Sequence, residues 1–172
     1  MANRAYLYSR ERPDAWECPD RDYRDSRWGI PLAWFFCYRP QDIRMVEIHF
    51  QSSHWQEVKL AAERVPALEL FQRRQALLLS LVNRRVPQSV IAEFQAWVGG
   101  RAGSFLLLDP AEVLGGMSQE ETWHAERFAE IFSLLDANCD LEAVLEAVCP
   151  YVGSFDPDAD KRLGQVVGYT YW

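Results

Sequence analysis

Alternation of polar and apolar residues predicts strands near both ends of the chain and in its middle. Residues 5–9 place Leu7 between two tyrosines, and residues 44–51 alternate throughout, which is the period of a half-buried strand. Residues 105–108 form a short apolar run, and residues 162–172 carry the β-branched and aromatic side chains that strands favour. We expect the first and last strands to share one sheet, because this keeps both ends ordered.

Helical patterns alternate with these strands along the chain. Residues 66–82 begin with a proline, which fits a first helical turn, and continue with strong helix formers. Residues 87–98 place their apolar side chains on one face and stop at two glycines. Ser118 and Glu121 have the spacing of a capping box, which predicts the start of a third helix. Asp140 has the position of an N-cap for a fourth helix.

Three segments are less regular. Residues 31–38 are apolar and predict either a short buried helix or a strand, and residues 55–61 predict a strand or the entry to a helix. Residues 10–28 contain two prolines and many charged side chains, which predicts a long charged loop. Large aromatic residues occur within this loop, and we expect them to dock on the core or on a partner: Trp16, Tyr23 and Trp28.

Composition is that of one globular domain. The chain has 172 residues, 49% of them hydrophobic, and a chain of this length buries about 70% of its unfolded surface without a disulfide or zinc. It lacks a membrane-spanning run and the apolar region of a signal peptide, and its four cysteines form no Cys-x-x-Cys pair. We therefore expect a cytoplasmic protein with free thiols, away from membranes. The prediction is a single α+β domain over residues 1–172, with an antiparallel or mixed sheet that includes the N- and C-terminal strands, packed with about four helices.

Charge is distributed unevenly around a net value of −7. Residues 102–172 hold 13 acidic and 3 basic side chains. Phosphate binding needs clustered cations, so we expect no nucleic-acid partner. The acidic part either attracts a basic protein partner or only solvates helix faces. The acidic residues that would meet such a partner are Asp109, Glu112, Glu120, Glu121, Asp156, Asp158 and Asp160.

The sequence contains parts of metal-binding and catalytic motifs but completes none of them. His49 and His54 are five residues apart, and on a strand followed by a bend they need not converge. Glu121 and His124 share a helical face, but a di-iron bundle needs a second Glu-x-x-His, so we interpret them as a surface pair. A dyad such as Cys37 with His49 stays open, because dyads form in space and not in sequence.

Two loops resemble known binding motifs but lack residues that those motifs require. Residues 156–160 begin like a calcium-binding loop, but its sixth and twelfth positions hold Lys161 and Val167 in place of glycine and glutamate. The glycines of residues 99–103 follow a helix and lack the lysine of a Walker loop. We therefore expect no catalytic residues, no metal and no cofactor.

The first nine residues, M-A-N-R-A-Y-L-Y-S, resemble the opening of a family of uncharacterised bacterial proteins that share an MANR-x-YLYS strand. The resemblance continues in layout, with an apolar segment at residues 30–32 and a strand that enters an acidic stretch at 105–109. In size and charge the chain resembles the small acidic immunity proteins of bacterial toxin systems. That resemblance implies a cytoplasmic, non-enzymatic protein that occludes the active site of a cognate toxin or effector domain. Two alternatives stay open: a structural or regulatory subunit, or a small hydrolase or transferase with scattered catalytic residues.

Overall fold

A six-stranded antiparallel sheet forms the centre of the protein. The computed structural model describes residues 4–17, 20–27, 29–82, 87–117, 119–137, 140–152 and 166–171. The strands are β1 (Arg4–Arg10), β2 (Tyr23–Arg27), β3 (Ile43–Phe50), β4 (Ser53–Glu63), β5 (Phe105–Asp109) and β6 (Tyr169–Tyr171). They lie in the order β3-β4-β5-β1-β2-β6, and each strand pairs antiparallel with its neighbours. The α+β prediction, with the first and last strands in one sheet, is confirmed.

Helices connect the strands. Within the described ranges they are α1 (Leu32–Phe35), α2 (Arg64–Leu81), α3 (Gln88–Gly99), α4 (Ala111–Leu114), α5 (Glu121–Asp136) and α6 (Leu141–Val152). A 3-10 turn at Pro40–Asp42 leads into β3. No helix in the described part of the chain has the length and apolar character needed to cross a lipid bilayer.

The helices pack on one face of the sheet. Alternate strand residues, such as Leu7 and Leu108, join buried side chains of all six helices in the main core. The residues between them point to the other face, where Tyr8, Ala61 and Leu107 form a second, smaller cluster. Among the described residues, that cluster contains no helical side chain and is covered by Trp16. We call this second side the helix-free face.

The apolar segment at residues 30–38 lies at the centre of the main core and is a one-turn helix, α1, with flanking turns. Arg74 of α2 is 5% exposed and donates to the carbonyl oxygen of Tyr38 at 2.8 Å. The same guanidinium donates to the carbonyl of Phe132 at 3.4 Å and pairs with Asp136 at 2.6 Å. A single buried cation therefore joins the segment after α1 to α2 and to the end of α5.

The structure differs from the sequence prediction within residues 10–28, because β2 is a strand where a long loop was expected. The sequence did not predict β2 because this strand is mostly polar, whereas an alternation of apolar side chains is the usual signal for a strand. Arg24 is buried, donates to the carbonyl of Gly168 at 3.2 Å and pairs with Glu93 of α3 at 3.1 Å. Three polar side chains of β2 are buried: Arg24, Asp25 and Ser26. The two charged ones have ion-pair partners, since Asp25 pairs with Arg4 at 2.6 Å, and such pairing is what makes their burial possible.

The strand expected over residues 162–172 is shorter than predicted. Of the described residues, Tyr169–Tyr171 form the strand, while the valines at 166–167 are buried in a helical turn. The chain then passes through Gly168, whose φ is +75°, and a Cβ there would lie 2.4 Å from the ring of Trp34. Only glycine fits this position, because the indole occupies the space and also donates to the carbonyl of the second valine at 3.0 Å.

The predicted capping box is wrong. The helix begins at Glu121, with Glu120 as its N-cap and no side-chain hydrogen bond at the cap. Ser118 lies outside the described residues. Glu121 accepts instead from the backbone N–H of Val58 at 2.8 Å, where β4 runs past the end of β5. Asp140 does cap the next helix, since its carboxylate accepts the N–H two residues on at 3.1 Å.

We expect Arg74→Met to lower the free energy of unfolding by about 3–5 kcal/mol, because it leaves buried carbonyls without a donor. The matched control is Arg127→Met on α5, which removes a more exposed pair with Glu130 and should cost less than about 1 kcal/mol. Urea unfolding of the two variants beside the wild type measures both values. Equal losses would contradict the assignment of Arg74 as the cation that joins the helices.

Candidate functional site

Strands β3 and β4 form a hairpin that extends beyond the rest of the sheet. They pair along the whole of β3, from Ile43 opposite Leu60 to Phe50 opposite Ser53, whereas β5 pairs only with the last four residues of β4. A two-residue turn joins them, and Gln51 in this turn has a φ of 53°. Among the described strands, the outer part of the hairpin therefore pairs only within itself.

One side of this hairpin carries four apolar side chains, together with Glu57, which accepts from the Trp55 indole at 2.8 Å. Alternation along β3 places Val46, Ile48 and Phe50 on this side, and the register sets Trp55 of β4 opposite Ile48. Phe50 is 62% exposed and Trp55 is 41% exposed. The side continues the helix-free face, because Lys59 on the same side of β4 contacts the Trp16 ring. We call Val46, Ile48, Phe50 and Trp55 the apolar hairpin face.

The other side of the hairpin carries a carboxylate and two imidazoles. Glu47 and His49 are two residues apart on β3, and His49 is directly opposite His54. The imidazole rings stack with centroids 4.6 Å apart, and a Glu47 oxygen lies 3.8 Å from the Nε2 atom of each. The sequence left the convergence of these histidines open, and the two-residue turn places them across from each other.

The structure places two of the predicted acidic site residues within the fold. Asp109 at the end of β5 pairs with Lys59 at 2.5 Å and accepts the first N–H of α4 at 3.1 Å. Glu112 accepts from the backbone N–H of Arg4 at 3.1 Å and from the Tyr6 hydroxyl at 3.3 Å. Both carboxylates hold α4 against the sheet.

The remaining acidic residues differ in exposure. Glu120 is exposed, and its side chain forms no hydrogen bond to the described residues. Glu121 is half-buried, and burial raises its pKa while the bond from Val58 opposes that shift. The last three acidic residues of the prediction lie outside the described residues: Asp156, Asp158 and Asp160. The acidic interface stays a prediction, and Glu120 is the exposed described member whose side chain is not held by a hydrogen bond to the fold.

The aromatic residues expected as anchors pack mainly on the protein's own sheet. Trp16 is half-buried, and its carbonyl accepts from the Tyr8 hydroxyl at 2.9 Å. The ring of Tyr23 lies 5.9 Å from that of Tyr6. Trp28 lies outside the described residues. Trp16 and Tyr23 therefore shield the helix-free face. Among the described residues, the exposed large aromatic side chains are Phe50 and Trp55 of the hairpin and Trp123 of α5.

His124 is not a surface partner of Glu121. It is fully buried, with Nδ1 3.1 Å from the Tyr151 hydroxyl and with no partner for Nε2 among the described residues. Burial lowers the pKa of His124 and raises the pKa of Tyr151. The imidazole is therefore neutral at pH 7 and acts as part of the core.

The structure does not bring Cys37 and His49 together as a dyad. Cys37 is fully buried beside α1, where burial raises the pKa of its thiol and its Sγ contacts the carbonyl of Ala33 at 3.9 Å. His49 lies on the exposed hairpin. A buried, protonated thiol is a poor nucleophile.

A cavity of about 500 Å³ opens near the end of β4. Its charged lining has both signs: Arg39, Asp42, Arg44 and Glu63. Its thiol is the buried Cys37, and no nucleophile is paired with a base among these lining residues. The exposed hairpin is therefore the stronger candidate site.

We expect wild-type stability to fall more steeply than that of His124→Gln between about pH 7.5 and pH 5.5. The folded pKa of His124 lies below its ordinary 6.5, so the unfolded chain takes up the proton first as the pH falls. The glutamine in the variant does not titrate, so the variant does not lose folding stability in this way as the pH falls. Urea unfolding at each pH gives the two slopes, and equal slopes would contradict the burial of a neutral imidazole.

The outer surface of the hairpin thus offers an apolar face and a carboxylate–imidazole face. The sequence patterns did not indicate these two faces, because both depend on the pairing of β3 with β4. Comparison with known proteins adds no relative, since no family model, no curated protein and no solved structure matches the chain.

Proposed function

We propose that the protein acts by binding another protein through the apolar hairpin face. The observation that carries this proposal is the exposure of Phe50 and Trp55 beside half-buried Val46 and Ile48, on the helix-free side of the hairpin. Contiguous exposed apolar surface is typical of protein interfaces, and aromatic side chains supply much of their binding energy. A two-stranded ribbon also presents these side chains on a regular backbone, which limits the entropy lost on binding.

Charge favours a basic partner. The net charge is −7, and α6 contains no lysine or arginine. Exposed carboxylates lie along α5 and α6, including Glu126, Glu142 and Glu146. A negative field of this kind accelerates encounter with a basic protein, while buried aromatic contacts hold the complex.

We further propose that this binding is of the immunity type: a small acidic cytoplasmic protein occludes the active site of a toxin. Support comes from the acidic charge, from the exposed aromatic side chains and from the resemblance in size to immunity proteins. A regulatory subunit would use the same surface without protecting a cell. Protection therefore separates the two roles.

The test is co-expression with the product of the adjacent gene, scored by growth and by co-purification. We expect the wild type to restore growth and to form a stable complex. The double variant Phe50→Ser with Trp55→Ser should weaken binding by roughly 100-fold or more, because hot-spot side chains contribute about 2 kcal/mol each. Surface plasmon resonance with the purified partner measures the change.

The matched control removes exposed apolar side chains elsewhere: Val65→Ser and Leu145→Ser, which are 54% and 38% exposed. These variants should bind like the wild type. Absence of both complex and protection with the wild type would overturn the immunity proposal. A complex without protection would support a regulatory subunit, and equal loss in the control variants would contradict the hairpin as the contact surface.

A further inference from the structure

The polar side of the hairpin holds three side chains that can bind a metal ion. The donor atoms of Glu47, His49 and His54 all lie within 4.8 Å of one another. We propose that these three residues bind one divalent transition-metal ion of the zinc class. The proposal stands on the hairpin geometry and does not depend on the proposed partner.

The strand register holds the three side chains together. Glu47 and His49 project from the same side of β3, and the cross-strand pairing brings His54 to the same side. Directly opposed residues of an antiparallel pair have Cβ atoms about 5 Å apart, so their side chains meet without a special backbone shape. The site therefore needs no rearrangement of the chain.

Small side-chain rotations close the site around an ion. Zinc binds nitrogen and oxygen at about 2.0–2.2 Å, which places tetrahedral donor atoms about 3.4 Å apart. The two Glu47–imidazole distances are already 3.8 Å. The side chains of Glu47, His49 and His54 are 60%, 71% and 53% exposed, so they are free to turn.

The donor set selects the class of metal. Two imidazoles and one carboxylate suit zinc, nickel and copper, whereas calcium and magnesium prefer oxygen ligands. Three protein donors leave a fourth tetrahedral position for water or for a group from another molecule. An ion bound here would also link β3 to β4 at a part of the hairpin where no other described strand pairs with them.

The experiment titrates untagged protein with Zn²⁺ by isothermal calorimetry, after alkylation of accessible thiols because Cys149 is exposed. We expect one ion per chain and at least tenfold weaker binding in His49→Gln and in His54→Gln. Glu47→Gln should weaken binding too, while Glu69→Gln, which removes an exposed carboxylate from α2, should bind like the wild type. Circular dichroism checks that each variant is folded.

Co²⁺ gives a second readout, because a tetrahedral site produces strong visible absorption bands. We expect these bands in the wild type and in Glu69→Gln, and their loss in both histidine variants. Binding that is absent in the wild type, or that persists unchanged in the histidine variants, would overturn the proposal. Excess Mg²⁺ should not displace the ion, and displacement would contradict the zinc-class assignment. No partner protein is needed, so the result is independent of the test of the proposed function.

Discussion

All the described helices pack against one face of a single antiparallel sheet, and this constraint determines what the other face must do. An antiparallel sheet can leave one face without helices. Here the central strands carry Tyr8 and Leu107 on that face, and the segment with Trp16 shields them. The outer part of the β3–β4 hairpin lies outside this arrangement, so Phe50 and Trp55 remain exposed while equally apolar side chains nearer the centre are buried.

Two buried arginines connect the layers of the main core. Arg74 donates to the carbonyls of Tyr38, after α1, and of Phe132 in α5. Arg24 lies over the rings of Phe94 and Trp97 at 5.5 and 5.2 Å. Burial lowers the pKa of both guanidiniums, whereas their carboxylate partners raise it. Arginine stays protonated inside a protein, so each cation needs its hydrogen bonds to offset the cost of burying its charge, which makes the helix positions sensitive to those contacts.

Sequence patterns predicted the elements in which buried apolar residues recur with the spacing of a strand or a helix. The alternation at residues 44–51 and the apolar face of residues 87–98 both correspond to elements of the structure, β3 and α3. The strand β2 could not be found in this way, because its burial depends on partners distant in the chain: Arg24 meets Glu93, and Asp25 meets Arg4. Long-range ion pairs leave no local periodic signal.

The candidate site could be predicted only in part, for a related reason. The alternation of β3 predicted which of its residues share a side, but the meeting of His49 with His54 depends on a two-residue turn at residues 51–52. That turn lacks the usual Asn-Gly or Asp-Gly signal, and Gln51 supplies the positive φ. Residues 55–61 predicted either a strand or the entry to a helix, and only the strand would place His54 opposite His49.

The two sides of the hairpin are specified together by this register. Side chains alternate with a period of two, so a one-residue slip would exchange the faces of a strand. The pairing that brings His49 opposite His54 also places Ile48 opposite Trp55 and Glu47 opposite Gln56. The polar donors and the apolar hairpin face thus depend on the same short turn, although they use different side chains. Substitutions on either side can therefore be made separately, while a change of turn length would disrupt both.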